Sequence, residues 1–312
     1  MRTNPVREAA RWVMARARWV SLDTAVLRDL AGKLAEEGGP PWPEEYHFTG
    51  EEELTLRYLL VLDALNFCFW PGKGRWRIPG PGGEMLDGYY ALAYGLKRAA
   101  EDCPEFFEPG HLAGLAEDDL RGVLGDIPLL RERARIAREV GRALLRFGGS
   151  ARRFLGAGSC AGIVERLTAH MPSFRDACIW RGRWIPFYKR AQILCSDIHG
   201  AFRGEGPGAL PDMDWLTAFA DYKLPQLLRA HGALVLHPGL AARIDRREVI
   251  RAGSDEEIEI RAATVHAVEL LVGELSRMGL PLRAFEVDWM LWTLSQDMDL
   301  PFPYHRTLTI FY

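Results

Sequence analysis

The stretch that most restricts the fold is EEELTLRYLLVLDALNFCFW, residues 51–70. Its apolar residues do not keep to one stripe. They recur at helical spacing and also fill the positions between, so the segment reads as a helix buried on more than one face. Such a helix must be surrounded by other elements, and the rest of the chain supplies candidates. SLDTAVLRDLAGKLAEEGG offers Ser21 and Asp23 as caps and glycines as a stop. LRERARIAREVGRALLRFGG is an amphipathic helix ending in Gly148-Gly149. SDEEIEIRAATVHAVELLVGEL opens with Ser254 and Glu257 at capping-box spacing, and LRAFEVDWMLWTLSQ reads as one more helix.

The expectation is therefore a mainly α protein. The loops Gly38–Pro43, Pro71–Gly83 and Gly204–Pro211 are rich in Pro and Gly, and the second holds a short β-hairpin through GRWRIPG. Hydrophobic residues make up 48% of the 312, enough for one compact unit over 1–312. A soft internal boundary falls near 148–159, with one ligand site shared by both halves. The Arg-rich N-terminus MRTNPVREAARWVMARARWV has the look of a transit peptide. The plainer reading, adopted here, is a surface helix with Val6, Trp12, Val13 and Val20 turned inward.

Several function classes lose support at this level. The net charge is −3 with interspersed signs, without the clustered basic face of a polynucleotide binder. No apolar run approaches the roughly 18–20 residues of a membrane helix. The cysteines, Cys68, Cys103, Cys160, Cys178 and Cys195, are scattered and form no CxxC pair, so no metal site is expected and a reducing cytoplasm fits. P-loop, dinucleotide, HExxH and GxSxG signatures are missing.

What remains are acids beside aromatics. Asp221 sits between Phe219 and Tyr222, Asp288 precedes Trp289, and Asp87 precedes Gly88-Tyr89-Tyr90. A carboxylate among aromatics costs several kcal/mol unless paired. The plain reading is that each acid caps a helix or meets an arginine. The sharper one is a pocket for a flat heterocycle such as a nucleobase. His47 is a candidate ligand contact, and His305 and Arg306 are candidate anion contacts or parts of a docked tail. Lys189 gains interest only if it reaches the same pocket as Asp221, because a carboxylate beside a developing oxocarbenium ion is a glycosidase device.

Eight segments taken in order resemble one known family: NFCFWPGKGRWRI, DGYYALAYGLKRA, IPLLRERARIAREVG, FYKRAQILCSDIHGAF, FADYKLPQLL, EIEIRAATVHAVE, VDWMLW and PYHRTLTIFY. They are similar to the queuosine-salvage family, the queuosine 5′-phosphate N-glycosylase/hydrolases, over about residues 45–312. The resemblance implies a helical fold resembling helix-hairpin-helix DNA glycosylases. It implies release of queuine from queuosine 5′-phosphate, with ribose 5-phosphate as co-product, supplying the base for tRNA modification. It implies Asp221 and Lys189 at the reacting centre. His47, Phe219, Tyr222, Asp288, Trp289 and Arg306 would bind the substrate, with neither metal nor cofactor. The partner would be the small nucleotide rather than a polynucleotide or membrane. One position departs from the pattern: where the family often carries an acid after the Leu-Trp of the last helix, this chain has Thr293. Asp297 and Asp299 follow out of register. Competing expectations are a non-catalytic binder of queuine or a modified nucleoside, a nucleic-acid glycosylase and a helical scaffold without a pocket.

Overall fold

A computed structural model describes residues 3–37, 42–72, 74–156 and 158–312. The described residues form fourteen α-helices and six short strands, so the fold is mainly α. The chain opens with α1 (Pro5–Met14), β1 (Val20–Leu22) and α2 (Thr24–Glu37), then α3 (Glu52–Leu65). The hairpin β2 (Arg77–Pro79) and β3 (Met85–Asp87) leads into α4 (Gly88–Asp102). Next come α5 (Pro109–Gly114), α6 (Glu117–Leu124), α7 (Leu130–Arg146), α8 (Ala151–Leu155) and α9 (Cys160–His170). A second hairpin, β4 (Ala177–Trp180) and β5 (Arg183–Pro186), precedes α10 (Lys189–Ala201). The chain closes with α11 (Lys223–Ala230), β6 (Leu234–Leu236), α12 (Pro238–Asp245), α13 (Asp255–Arg277) and α14 (Ala284–Asp297).

The doubly buried helix is α3. Every residue from Thr55 to Leu65 except Arg57 is buried, and each buried leucine contributes about 1.5–3 kcal/mol. The helix stops at Asn66, and FCFW is not helical. Cys68 takes φ +43°, a conformation that is uncommon outside glycine. Asp23 caps α2 by accepting from the N–H groups of Ala25 and Val26, while Ser21 lies in β1. At α13, Ser254 accepts from Glu257 N–H, but Glu257 reaches back to Gly253 rather than Ser254.

Some expectations shift. The N-terminal helix ends at Met14. Val6 and Val13 are buried as expected, Trp12 packs edge-on to Trp180, and Val20 is buried through β1 pairing with β6, opposite Leu236. The GRWRIPG hairpin forms, with its second strand beyond Gly83. Of the Gly38–Pro43 loop, residues 38–41 lie outside the described residues. Gly204–Pro211 contains one short turn of 3-10 helix, Gly206–Gly208.

One large core gathers α3, α4, α7, α9 and α10, and its buried members fall on both sides of 148–159. A second gathers α2, α11, α13, α14, β1 and β6. A third, smaller one seats α1 and the β4–β5 hairpin on α13. A buried ion pair ties them together. The Arg261 guanidinium on α13 meets both oxygens of Asp176 at 2.8 and 2.7 Å, and its Nε donates to Ala220 O at 3.1 Å. Its faces lie against the rings of Phe187 (4.0 Å) and Tyr312 (4.3 Å). Removing one partner of such a pair strands the other charge out of water. Arg261→Met should therefore lower stability by about 3–5 kcal/mol in urea unfolding. The double variant with Asp176→Asn should lose less than the sum of the two single losses; strict additivity would show that the two side chains act separately.

Candidate active site

A cavity of about 980 Å³ opens where the two larger cores meet. Helix α10 contributes Lys189, Ile193 and Asp197, one residue per turn along a single face. Helix α14 contributes Asp288, Trp289, Trp292 and Thr293. The segment running into α11 supplies Phe219, Asp221 and Tyr222. Of the residues proposed from sequence, Asp221, Lys189, Phe219, Tyr222, Asp288, Trp289 and Arg306 therefore share one cavity.

Lys189 is the first residue of α10 and is buried. Tyr188 before it takes φ +50°, a strained conformation for a bulky residue, and this sets the direction in which the helix starts. Lys189 N–H donates to Asp176 Oδ2 at 3.1 Å, and its Nζ donates to Asn66 O, just past α3, at 3.2 Å. Burial lowers the ammonium to about 8, against the opposing pull of Asp221 and Asp63. It remains cationic at neutral pH.

Asp221 caps α11. Its Oδ1 accepts from the N–H groups of Lys223 and Leu224, each at 2.9 Å. Both bonds use the same oxygen, which leaves Oδ2 for the cavity. Burial raises the carboxyl above its ordinary value, and the Lys189 charge is the strongest influence the other way. Asp288 accepts from Phe219 N–H at 2.7 Å, and burial pushes its carboxyl well up. All three acids singled out perform an ordinary structural task and also line the cavity. The third, Asp87, is an arginine partner at the rim, 2.8 Å from Arg75.

Two histidines lie away from the cavity walls. His47 sits behind Trp42 and Tyr89, its ring tilted 37° to the Trp42 ring at 4.3 Å. His305 is buried beside Tyr312, and burial lowers it to about 3, so it is neutral and unsuited to hold an anion. It belongs to the docked tail, where Cys68 N–H donates to Tyr312 O and Ile250 N–H to Arg306 O. Arg306 does line the cavity, over the Trp70 ring at 5.4 Å. Lys223 and Arg247 lie on the same wall. Thr293 and Asp299 also line the cavity, while the side chain of Asp297 lies outside the described residues.

The sequence reading missed Asp197, Trp42 and Asp63, and named Tyr89 only as an aromatic neighbour of Asp87. Asp197 was accessible from spacing, eight residues along a helix from Lys189 and four from Ile193. Asp63 was hidden inside a continuous apolar run. It is fully buried near Lys189 and Asp197, and its carboxyl is raised well above the ordinary range, chiefly by burial. Among the described residues no group of three or more His, Cys, Asp or Glu is arranged to hold a metal ion. The arrangement is an aromatic-walled cavity with buried ionisable groups, suited to a flat ring next to a centre that develops positive charge.

A family model described as "Queuosine salvage protein" matches residues 46–312. A Sphaerobacter thermophilus protein named queuosine 5′-phosphate N-glycosylase/hydrolase is 47% identical over 309 residues, covering 96% of this chain and 94% of that protein. A Dictyostelium discoideum protein of the same name is 41% identical over 266 residues, 83% of this chain and 79% of its own. One from Bos taurus is 32% identical over 337 aligned positions, 98% of each.

The electrostatics of the floor can be tested directly. The Lys189 charge favours ionised Asp221, so its removal must raise the Asp221 carboxyl further. In Lys189→Met, carboxyl-13C NMR should show Asp221 titrating at higher pH than in the wild type. An unchanged titration would mean that the two groups do not sense each other.

Proposed function

This chain belongs to the queuosine salvage family, and from that premise we propose that it hydrolyses the N-glycosidic bond of queuosine 5′-phosphate. The products are queuine and ribose 5-phosphate. The observation that carries the reading is Asp221 and Lys189 sharing one aromatic-lined cavity in a member of this family.

The chemistry of the base explains why such a floor is useful. Queuine is a 7-deazaguanine, with carbon in place of N7. The common purine route, protonating N7 to improve the leaving group, is closed. More of the barrier then falls to stabilising the ribosyl cation. Asp221 supplies negative charge beside the anomeric carbon and a base for the attacking water. Lys189 keeps Asp221 ionised against the cost of burial. Phe219 and Trp289 stack on the base, Tyr222 borders the sugar, and Asp288 accepts N–H donors of the ring or the side-group amine. Carboxylate-assisted hydrolysis of this kind calls for neither metal nor organic cofactor. The ligand is a single nucleotide rather than a polynucleotide, and the net charge of −3 supports that choice.

The phosphate falls to the cations of the outer wall. Lys223, Arg247 and Arg306 line the cavity there, and Arg75 is already engaged by Asp87. Charge-assisted contacts to phosphate contribute about 1.5–3 kcal/mol each. The 5′-phosphate should be hydrolysed roughly tenfold to a hundredfold better than the free nucleoside for each contact made. Equal kcat/KM for the two substrates would exclude a phosphate subsite.

One observation favours a second reading, a binder without turnover: Thr293 lines the cavity where the family often has an acid. Mass spectrometry of the purified protein incubated with queuosine 5′-phosphate separates the two, since only a hydrolase releases free queuine. Asp221→Asn keeps the shape and removes the charge. It should cut kcat by at least about a hundredfold while changing queuine affinity little, because queuine lacks the ribose. Wild-type turnover in a folded Asp221→Asn protein would reject the assignment.

A further inference from the structure

One chain of close polar contacts in the cavity wall has no part in the reaction as set out above. His47 Nδ1 lies 2.8 Å from Pro43 O, and His47 Nε2 lies 2.8 Å from the Tyr89 hydroxyl. That hydroxyl lies 2.7 Å from Asp197 Oδ2, and Trp42 Nε1 donates to Asp197 Oδ1 at 3.2 Å. Trp42, Pro43, Tyr89 and Asp197 line the same cavity as Asp221 and Lys189, with His47 behind them.

The protons in this chain can be counted. A carbonyl only accepts, so His47 Nδ1 must carry hydrogen toward Pro43. A neutral imidazole then presents a bare Nε2 to Tyr89. Tyr89 owns one hydrogen and has two neighbours, His47 and Asp197, that both need a donor. With Asp197 ionised, the His47–Tyr89–Asp197 run holds two protons for three contacts, and one pair of lone pairs is forced together in a buried site. A third proton removes the conflict. It sits either on His47, as imidazolium, or on Asp197 Oδ2, donating to Tyr89 while Tyr89 donates to His47.

The surroundings choose between these. Around His47 are the Trp42 ring, the exposed Glu44 paired with Arg203 at 3.1 Å, Glu45, and Lys97, whose Nζ is held by Glu45 O at 2.9 Å. The two ring nitrogens face Pro43 O and the Tyr89 hydroxyl rather than a carboxylate, and burial together with Lys97 disfavours the cation, lowering His47 to about 4. Around Asp197 are Asp63 and Tyr58 from α3, Tyr89 from α4 and Lys189 from its own helix. Burial raises Asp197 to about 6, even with Tyr89 donating to it. Once Tyr89 turns to His47, that support for the ionised form is lost.

We propose that the resting protein holds this third proton on Asp197, and that Asp197 is the general acid that protonates the departing base, with Tyr89 and His47 as positioning residues. The proposal rests on the hydrolase reading. As the C1′–N bond breaks, its electron pair goes to the base, the Asp197 Oδ2 hydrogen leaves Tyr89 for a base nitrogen, and the Tyr89 hydroxyl turns from His47 to donate to the new Asp197 carboxylate. Water adds to C1′ and gives its proton to Asp221. Asp221 then releases a proton to solvent and Asp197 takes one up, so the net reaction consumes one water. A 7-deaza base has no N7 to protonate in advance, so an acid acting during departure fits this leaving group.

Two readouts test this. The first needs no turnover: at pH 7, the infrared difference spectrum of wild type minus Asp197→Asn should contain a protonated-carboxyl C=O band. The second compares queuosine 5′-phosphate with p-nitrophenyl β-D-ribofuranoside 5-phosphate, whose leaving group departs without a proton. Asp197→Asn should slow the first by at least about a hundredfold and leave the second within a few-fold. If that variant does not fold, wild-type pH profiles carry the same information. The rate on queuosine 5′-phosphate should fall on the alkaline side at lower pH than the nitrophenyl rate, which follows only the loss of the Lys189 charge. An absent band, equal losses on both substrates, or identical alkaline limbs would overturn the proposal. A band present with no queuine released would reject the hydrolase reading and the acid's role in it, while the proton count would stand.

Discussion

The site depends on one buried ion pair. Asp176 and Arg261 meet through two hydrogen bonds, and each spends its remaining capacity on backbone that carries a site residue. Asp176 Oδ2 also receives the N–H of Lys189, and its own carbonyl receives the N–H groups of Phe187 and Tyr188. That fixes the first turn of α10. Arg261 Nε holds Ala220 O, next to Asp221. The same guanidinium packs against the terminal Tyr312, whose carbonyl receives Cys68 N–H on a cavity wall. Three segments remote in sequence are thus brought to one point by a single planar, five-donor group, a geometry that lysine could not reproduce.

The floor of the cavity is arranged at a cost to stability. Burial raises the carboxyls of Asp63, Asp197, Asp221 and Asp288, so the folded state binds their protons more tightly than the unfolded chain does. Stability from these groups is present below the ordinary carboxyl range and lost as pH rises through the raised values. Lys189 runs the other way. Its folded value near 8 lies below the unfolded 10.5, so the charged lysine disfavours folding at neutral pH and the penalty fades between about pH 8 and 10.5. A fold selected for stability alone would not keep four buried acids around one lysine, and strain concentrated at a ligand-sized cavity is what a working site predicts.

How far the sequence could be read follows from which forces are local. The helices announced themselves because a buried stripe and a capping residue lie within a few positions of each other, as at Asp23, Ser254 and the apolar run of α3. The β1–β6 pair was invisible, since Val20 finds Leu236 across most of the chain. Asp221 and Asp288 stood out by their aromatic neighbours, yet those neighbours could not say that Asp221 caps α11 or that Asp288 holds Phe219 N–H. His47 looked like a ligand contact and lies behind Tyr89, because one imidazole between apolar neighbours has no sequence mark for direction. Arg261 shows in the sequence only as a charge among apolar Ile258, Ala262 and Val265, and Asp176 shows nothing, because the pairing joins residues 85 positions apart.

The distribution of charge across the cavity has a consequence for how a nucleotide would sit in it. Lys223, Arg247 and Arg306 line the cavity, and the buried acids Asp63, Asp221 and Asp288 gather around Lys189. A ligand with an anionic end and a centre that becomes cationic would meet complementary potential with its phosphate at these cations and its anomeric carbon at the acids around Lys189. Reversal would put the phosphate among carboxylates in a low-dielectric site, where like charges repel far more strongly than in water. Orientation would then be set by electrostatics before any hydrogen bond to the base forms. The aromatic walls of Phe219 and Trp289 could in that case tolerate a heterocycle on shape and stacking, leaving the acids free to respond to the charge that appears as the sugar–base bond lengthens.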